Sequence, residues 1–273
     1  MTAAAPPDLY CSDHVAPMVA TLAAVGDAEL ALFHEQGYLA IRQAFDTGAV
    51  DDALTAVTEL IDGANPAFRG VSFEPGTGPS EGLSLDERRL RVRKLMSFVD
   101  HDERLRLLST DPSLLHVVSR LMHGDTPELF QDMALLKPPG GREKPWHQDM
   151  AYFNVPIDTV VIGVWIALDE ATSANGALHV LPGSHRQGPR LHFKRRDWQI
   201  CDSEVPHGTD VVVPLPPGGV LLWHGLTHHG SPDNESNRRR RALQFHYRPS
   251  TVALTTTPER MQHYGGEVRG AVC

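Results

Sequence analysis

Cysteine is scarce and poorly placed for cross-linking. The chain has three, Cys11, Cys201 and Cys273, and their wide spacing supplies neither a disulfide framework nor a zinc-type cluster. A reducing compartment is the simplest expectation. Positive charge is also short: 25 Lys and Arg against 34 Asp and Glu leave a net charge of −9, whereas a general nucleic-acid binder carries a basic face. No long apolar run occurs. The stretch Val15–Val25 is broken by Pro17 and falls short of the ~20 residues that cross a bilayer. The opening MTAAAPPD lacks the basic region of a secretory signal, and the closing GAVC is not a peroxisomal address. Neither an internal repeat nor a low-complexity linker is visible. These absences lead us to expect a cytoplasmic protein with no membrane or nucleic-acid partner, and they leave its oligomeric state open.

What is present suits a packed domain. The 273 residues are 41% apolar and 22% charged, enough for a sizeable core. The 23 Gly and 21 Pro exceed average usage of about 7% and 5%, which favours many turns. The first third reads helical, with helices expected at Asp27–Gln36, Ala49–Ile61, Glu103–Leu108 and Pro112–Met122 and a strand at Tyr38–Ile41. From about residue 127 the pattern changes to short runs rich in Val, Ile, Leu and aromatics. These are Leu129–Leu136, Val160–Leu168, Ala177–Leu181, Asp210–Pro214, Gly219–Trp223 and Ala242–Tyr247, punctuated by Gly, Pro, Asn and Asp. The pattern predicts a mainly β fold with flanking helices, a sandwich or double-sheet jelly roll. One domain over 1–273 is expected, with a mostly helical part (1–125), a jelly-roll core (126–250) and a C-terminal tail (251–273).

The chemistry concentrates in Pro145-Trp146-His147-Gln148-Asp149. On a strand, residues two apart point to the same face, so His147 and Asp149 would present an imidazole and a carboxylate together, with Gln148 turned away. A third ligand must come from elsewhere, and the segment 221–231 offers His224, His228 and His229. Two histidines and one carboxylate on one face of a metal leave three positions open, the arrangement of non-haem iron(II) oxygenases. A 2-oxo acid can take two of them and oxygen the third. Such an acid needs a grip for its far carboxylate. The run Arg238-Arg239-Arg240-Arg241 leads into a predicted strand, and an arginine there could supply a planar, permanently charged fork.

At these residues the chain resembles the phytanoyl-CoA dioxygenase family. The matching text is W-H-Q-D-M (146–150), G-V-W-I-A-L-D (163–169), N-G-A-L-H-V-L-P-G-S-H (175–185), H-G-S-P-D-N-x-S (229–236) and R-R-A (240–242). F-H-E-Q-G-Y-L-A-I (33–41) is similar to the family's opening. The resemblance implies a double-stranded β-helix (jelly roll, cupin-like) with iron(II), 2-oxoglutarate and oxygen. It implies hydroxylation of a small organic molecule with release of succinate and CO2. Residue by residue, it makes His147, Asp149 and His229 the metal ligands and Arg240 the carboxylate clamp. It gives Ser231 a hydrogen bond to the same carboxylate and lets Lys94, in V-R-K-L-M-S-F, reach the cosubstrate. The presence of Asp149, where related halogenases have a small residue, implies oxygenation.

Other residues have weaker claims. Tyr152 and Phe153 follow the H-x-D segment and could line a substrate site, as could Trp165 on its apolar strand, although core packing suits Trp165 as well. The G-G loop Pro138–Lys144 is expected to be mobile and, with the polar connection 186–209, to shape the entrance. Arg190, His192, Lys194, Arg195 and Arg196 could there meet an anion or form a solvated basic surface. Two rival readings keep the same three ligands: a divalent-metal hydrolase or isomerase on a cupin-like barrel, and a non-catalytic binding module.

Overall fold

Helix boundaries follow capping chemistry. The computed structural model describes residues 9–74 and 82–265; the terminal MTAAAPPD and GAVC read above lie outside them. After a short strand β1 (Met18–Val19) comes α1 (Asp27–Gln36), stopped by Gly37 at φ 81°, a left-handed conformation that glycine adopts freely. Strand β2 (Tyr38–Ile41) leads to α2 (Thr47–Asp62), whose first turn is capped by Asp46 accepting from the Ala49 N–H. Next come β3 (Val71–Phe73), α3 (Leu85–Arg91), β4 (Val92–Met96) and α4 (Glu103–Ser109). Helix α5 (Pro112–Leu121) carries an Asp111 cap and a proline in its first turn.

The remaining chain is mostly strand: β5 (Pro127–Lys137), β6 (Lys144–His147), β7 (Ile162–Ala167), β8 (Leu178–Val180), β9 (His192–Lys194), β10 (Trp198–Ile200), β11 (Val211–Val213), β12 (Val220–His224), β13 (His229–Ser231) and β14 (Arg240–Pro249), then helix α6 (Thr257–Tyr264). An eight-stranded sheet runs β1-β2-β12-β7-β14-β5-β4-β3, and a four-stranded sheet runs β11-β8-β13-β6. Along β7, Ile162, Val164 and Ile166 join a core with α2, α4 and α5, while Trp165 and Ala167 join a second core with Leu178, Val180 and Val212 of the smaller sheet. Strand β12 splits the same way, Val220 and Leu222 against Leu221 and Trp223. The large sheet is thus buried on both faces, by helices outside and by the small sheet inside, which explains why its central strands read as unbroken apolar runs. The fold is the expected jelly roll with flanking helices.

Several expectations need correction. The N-terminal part supplies four strands of the larger sheet, including V-R-K-L-M as β4, paired with β5. Its alternating charges hid it, because β3 and β4 sit at the sheet's edge where only one face is buried. The polar connection 186–209 contains the antiparallel hairpin β9–β10. The tail beyond 251 carries α6, announced by a capping box in which Thr256 accepts from the Glu259 N–H and Glu259 accepts in return from Thr256. The G-G loop is stitched down rather than hanging free: the Gly140 N–H donates to the Asn234 carbonyl and the Asn234 N–H to the Gly141 carbonyl, both at 2.9 Å.

Candidate metal centre

His147 ends β6 and His229 begins β13, and the two are directly paired across the ladder. Their ring centroids lie 4.2 Å apart. Asp149 is not on the strand with His147, as alternation suggested. The strand stops at His147, Gln148 remains extended, and Asp149 opens a 3-10 turn, Asp149–Tyr152. That turn swings the carboxylate back, so one ligand atom from each of His147, Asp149 and His229 lies within 4.8 Å of the other two. Asp149 Oδ1 is 3.4 Å from His147 Nε2, and Oδ2 is 3.6 Å from His229 Nε2.

Each group is held in the orientation a cation needs. His147 Nδ1 donates to the Pro145 carbonyl at 2.8 Å and His229 Nδ1 to the Thr227 carbonyl at 3.0 Å. Both rings thereby turn an Nε2 lone pair toward Asp149, the arrangement in which an outer hydrogen bond fixes the tautomer of a metal-binding histidine. Asp149 Oδ2 accepts from Trp223 Nε1 at 2.8 Å and from His246 Nε2 at 2.9 Å. All three groups are buried. Burial, then the neighbouring His229, pushes His147 down to about 3. Burial likewise lowers His229. Burial alone would raise Asp149, but His229 and His246 beside it hold the carboxyl well below its ordinary value. Two neutral imidazoles and a carboxylate anion are the protonation states that bind a divalent ion.

Gln148, turned away as expected, is structural. Its amide donates to the Gly188 and Leu226 carbonyls and accepts from the Arg190 N–H, while its backbone N–H donates to His192 Nε2. His224 and His228 stay apart from the triad. His228 is buried, and neither of its ring nitrogens has a partner among the described residues; His224 packs beside His185.

A cavity of about 270 Å³ opens over the ligands. Arg240, Ser231 and Lys137 line it together, Lys137 being the cross-strand partner of Arg240 and a hydrogen-bond partner of Ser231; Lys94 and its cross-strand partner Leu135 line it as well. Arg240 starts β14 and is buried, and its Nε and Nη1 have no partner among the described residues. Burial lowers this guanidinium to about 10, which leaves it charged at neutral pH. The other arginines of the run have different work: Arg241 forks onto Asp169, and Arg238 pairs with Glu170 at the surface. Burial, then Lys144, lowers the Lys94 ammonium.

Tyr152 and Phe153 both line the cavity. The Tyr152 hydroxyl accepts from Lys144 Nζ at 3.0 Å and donates to the Trp198 carbonyl; Lys144 also pairs with Asp197 at 2.7 Å. Trp165, considered for substrate contact, lies in the inter-sheet core with the Arg240 guanidinium 5.2 Å above its ring. It acts as a floor for that arginine. The anion-contact reading of 190–196 fails at two positions: Arg196 is bound to Glu143 and Asp202, and His192 is buried against Gln148. Sequence reasoning missed Trp223, His246 and Lys137. The one available signal was polar residues on strands otherwise apolar on both faces.

Comparison with known proteins agrees with this geometry. The family model described as Phytanoyl-CoA dioxygenase (PhyH) matches residues 33–242. Phytanoyl-CoA dioxygenase domain-containing protein 1 of Rattus norvegicus is 31% identical over 185 residues, covering 64% of this chain and 63% of the relative. The peroxisomal phytanoyl-CoA dioxygenase of the same animal is 28% identical over 184 residues, covering 63% of this chain and 51% of its own length. The chain thus spans between about half and just under two thirds of the length of these relatives. Among solved structures, EvdO2 of Micromonospora carbonacea var. aurantiaca, crystallised with 2-oxoglutarate, superposes with a TM-score of 0.67 at 24% identity over 89% of this chain and 98% of its own. That likeness is one of fold.

Proposed function

The chain belongs to the phytanoyl-CoA dioxygenase family, and from that premise we propose that it is an iron(II)- and 2-oxoglutarate-dependent dioxygenase that hydroxylates a small organic molecule. One observation carries the reading. A three-ligand constellation with oriented imidazoles shares a cavity with a buried guanidinium whose Nε and Nη1 have no partner among the described residues. A buried cation without a counter-charge is costly, and a diacid chelating the metal would supply one. A metal-dependent hydrolase would use the three ligands and leave Arg240 without a task.

The residues fit both groups. His147, Asp149 and His229 would hold the metal facially, leaving three positions for cosubstrate and oxygen. Arg240 would grip the far carboxylate through a charged, two-point contact, with Ser231 and Lys94 lining the same cavity. When bound, iron(II) and 2-oxoglutarate supply oxidising power through oxygen-dependent decarboxylation, with succinate and CO2 as products. Around them the chain buries the ligands, fixes the imidazole tautomers and sets the direction of the Asp149 carboxylate. The cavity lining includes Arg142, Lys144 and Asp197, which supports a small substrate bearing polar or charged groups. A cytoplasmic location belongs to the same proposal and rests on composition. No helix among the described residues is long and apolar enough to cross a membrane.

The experiment is anaerobic reconstitution with iron(II), followed by measurement of succinate from 2-oxoglutarate on admission of oxygen, alone and with panels of small acids and alcohols. Succinate formation that depends on iron(II) and rises with a substrate is the expected result. Iron retention without any succinate would overturn the proposal.

A further inference from the structure

Two buried cations stand opposite each other at one end of the cavity. Lys137 and Arg240 are cross-strand partners in the β5–β14 ladder, and both line the cavity. Like charges directly opposite on neighbouring strands destabilise a sheet, and buried charges are normally paired. Neither has a carboxylate hydrogen-bond partner among the described residues. Lys137 Nζ donates to Ser231 Oγ at 2.8 Å and to the Pro232 carbonyl. The nearby Asp169 is taken by Arg241.

The fold makes room for this lysine. Its stem passes between two glycines. A methyl group on Gly141 would sit 2.8 Å from its Cγ, and one on Gly176 would sit 3.0 Å from both Cδ and Nζ. The N-G turn and the P-P-G-G loop therefore flank a channel as well as reversing the chain. The H-G-S-P-D-N segment closes the other side, with Asn234 Nδ2 donating to the Lys137 carbonyl at 3.2 Å. Such provision is more than an ordinary surface lysine receives.

Geometry also says what the lysine does. Its ammonium occupies a lone pair of Ser231 Oγ, so the hydroxyl hydrogen must be donated elsewhere, and Ser231 lines the cavity. We propose that Lys137 is a positioning residue and the second cation of a diacid pocket: it aims the Ser231 hydroxyl and, with Arg240, selects a cosubstrate that carries a second carboxylate. The inference rests on the 2-oxoglutarate reading. Burial and the adjacent Arg240 pull the Lys137 ammonium well below its ordinary range, a cost that a bound carboxylate offsets.

The test compares binding of 2-oxoglutarate with 2-oxovalerate, which keeps the chelating end and lacks the far carboxylate. Isothermal titration into manganese(II)-loaded protein without oxygen gives both affinities. In Lys137→Met the 2-oxoglutarate Kd rises about tenfold, as expected for one charged hydrogen bond, and the 2-oxovalerate Kd is unchanged. Equal weakening of both ligands, or of neither, overturns the inference, because a purely structural lysine has no preference between them. Should Lys137→Met fail to fold, Lys137→Gln keeps a donor for Ser231 while removing the charge. It is expected to lose several-fold of the diacid preference, and a retained preference overturns the inference. Failure of the underlying reading is distinct: wild-type protein would then bind both acids alike and release no succinate.

Discussion

The eight-stranded and four-stranded sheets meet across one cavity but bury different things. The small sheet is built from strands of three or four residues and provides the two histidine ligands, His147 and His229, together with Ser231. The large sheet places apolar side chains on its helix-covered face and, on the inner face, Trp223, His246, Lys137 and Arg240. The two histidine ligands therefore sit on one sheet, with Asp149 on the turn that leaves it, while the side chains that orient the carboxylate and face the anion end come from the other. The lesson is that the centre is assembled by packing two sheets: neither sheet contains it alone.

The comparison is broken most completely at the ligands. Asp149→Ala is expected to leave no stoichiometric iron after reconstitution, measured by metal analysis, with the melting temperature of the metal-free protein little changed. The opposite split is expected in the large sheet's outer face. Leu243→Ala removes a fully buried side chain and should cost ~2–5 kcal/mol of stability, read by denaturant titration, without altering metal affinity at temperatures where the protein stays folded. Between these lies Trp223→Phe, which keeps the ring and deletes the hydrogen bond to Asp149. Losses of this kind run to ~10–100-fold in metal affinity, and an unchanged affinity would show that His246 alone orients the carboxylate.

Acid provides a gentler probe. Burial lowers His192 to about 4 and His224 and His228 to about 3, from an ordinary 6.5. Between those values the unfolded chain binds protons that the folded chain refuses, so stability is full above about 6.5 and declines as pH falls toward 4. Melting temperatures at successive pH values should show that slope, and Phe at position 228 should flatten it. The smallest effect is expected at Arg238→Ala, whose pair with Glu170 is solvent-exposed. Loss of such a pair costs under ~1 kcal/mol, and 2-oxoglutarate affinity should not move, in contrast to Arg240 two residues along.

Legibility followed locality. Helices α1, α2, α4 and α5 and the central strands were readable because caps, left-handed glycines and runs of two-sided burial are written in adjacent residues. Strand β4 and hairpin β9–β10 were not, since half-buried or polar strands resemble loops. Helix α6 could have been found from Thr256 and Glu259, a capping box within four residues.

By itself, the amino-acid order determined the sheet-rich core, the pairing of an imidazole with a carboxylate at 147 and 149, and the presence of an arginine where a strand begins. Tertiary structure decided how those pieces act. It turned the chain after Gln148 to bring Asp149 round and separated His229 from its neighbours at 224 and 228. It aimed the carboxylate with Trp223 and His246, 74 and 97 residues away, and set Lys137 against Ser231, 94 residues away. Contacts at such separations leave no periodicity in the chain. They exist because two sheets, each unable to shield its inner face alone, must close on one another, and closure decides which polar groups share the buried space.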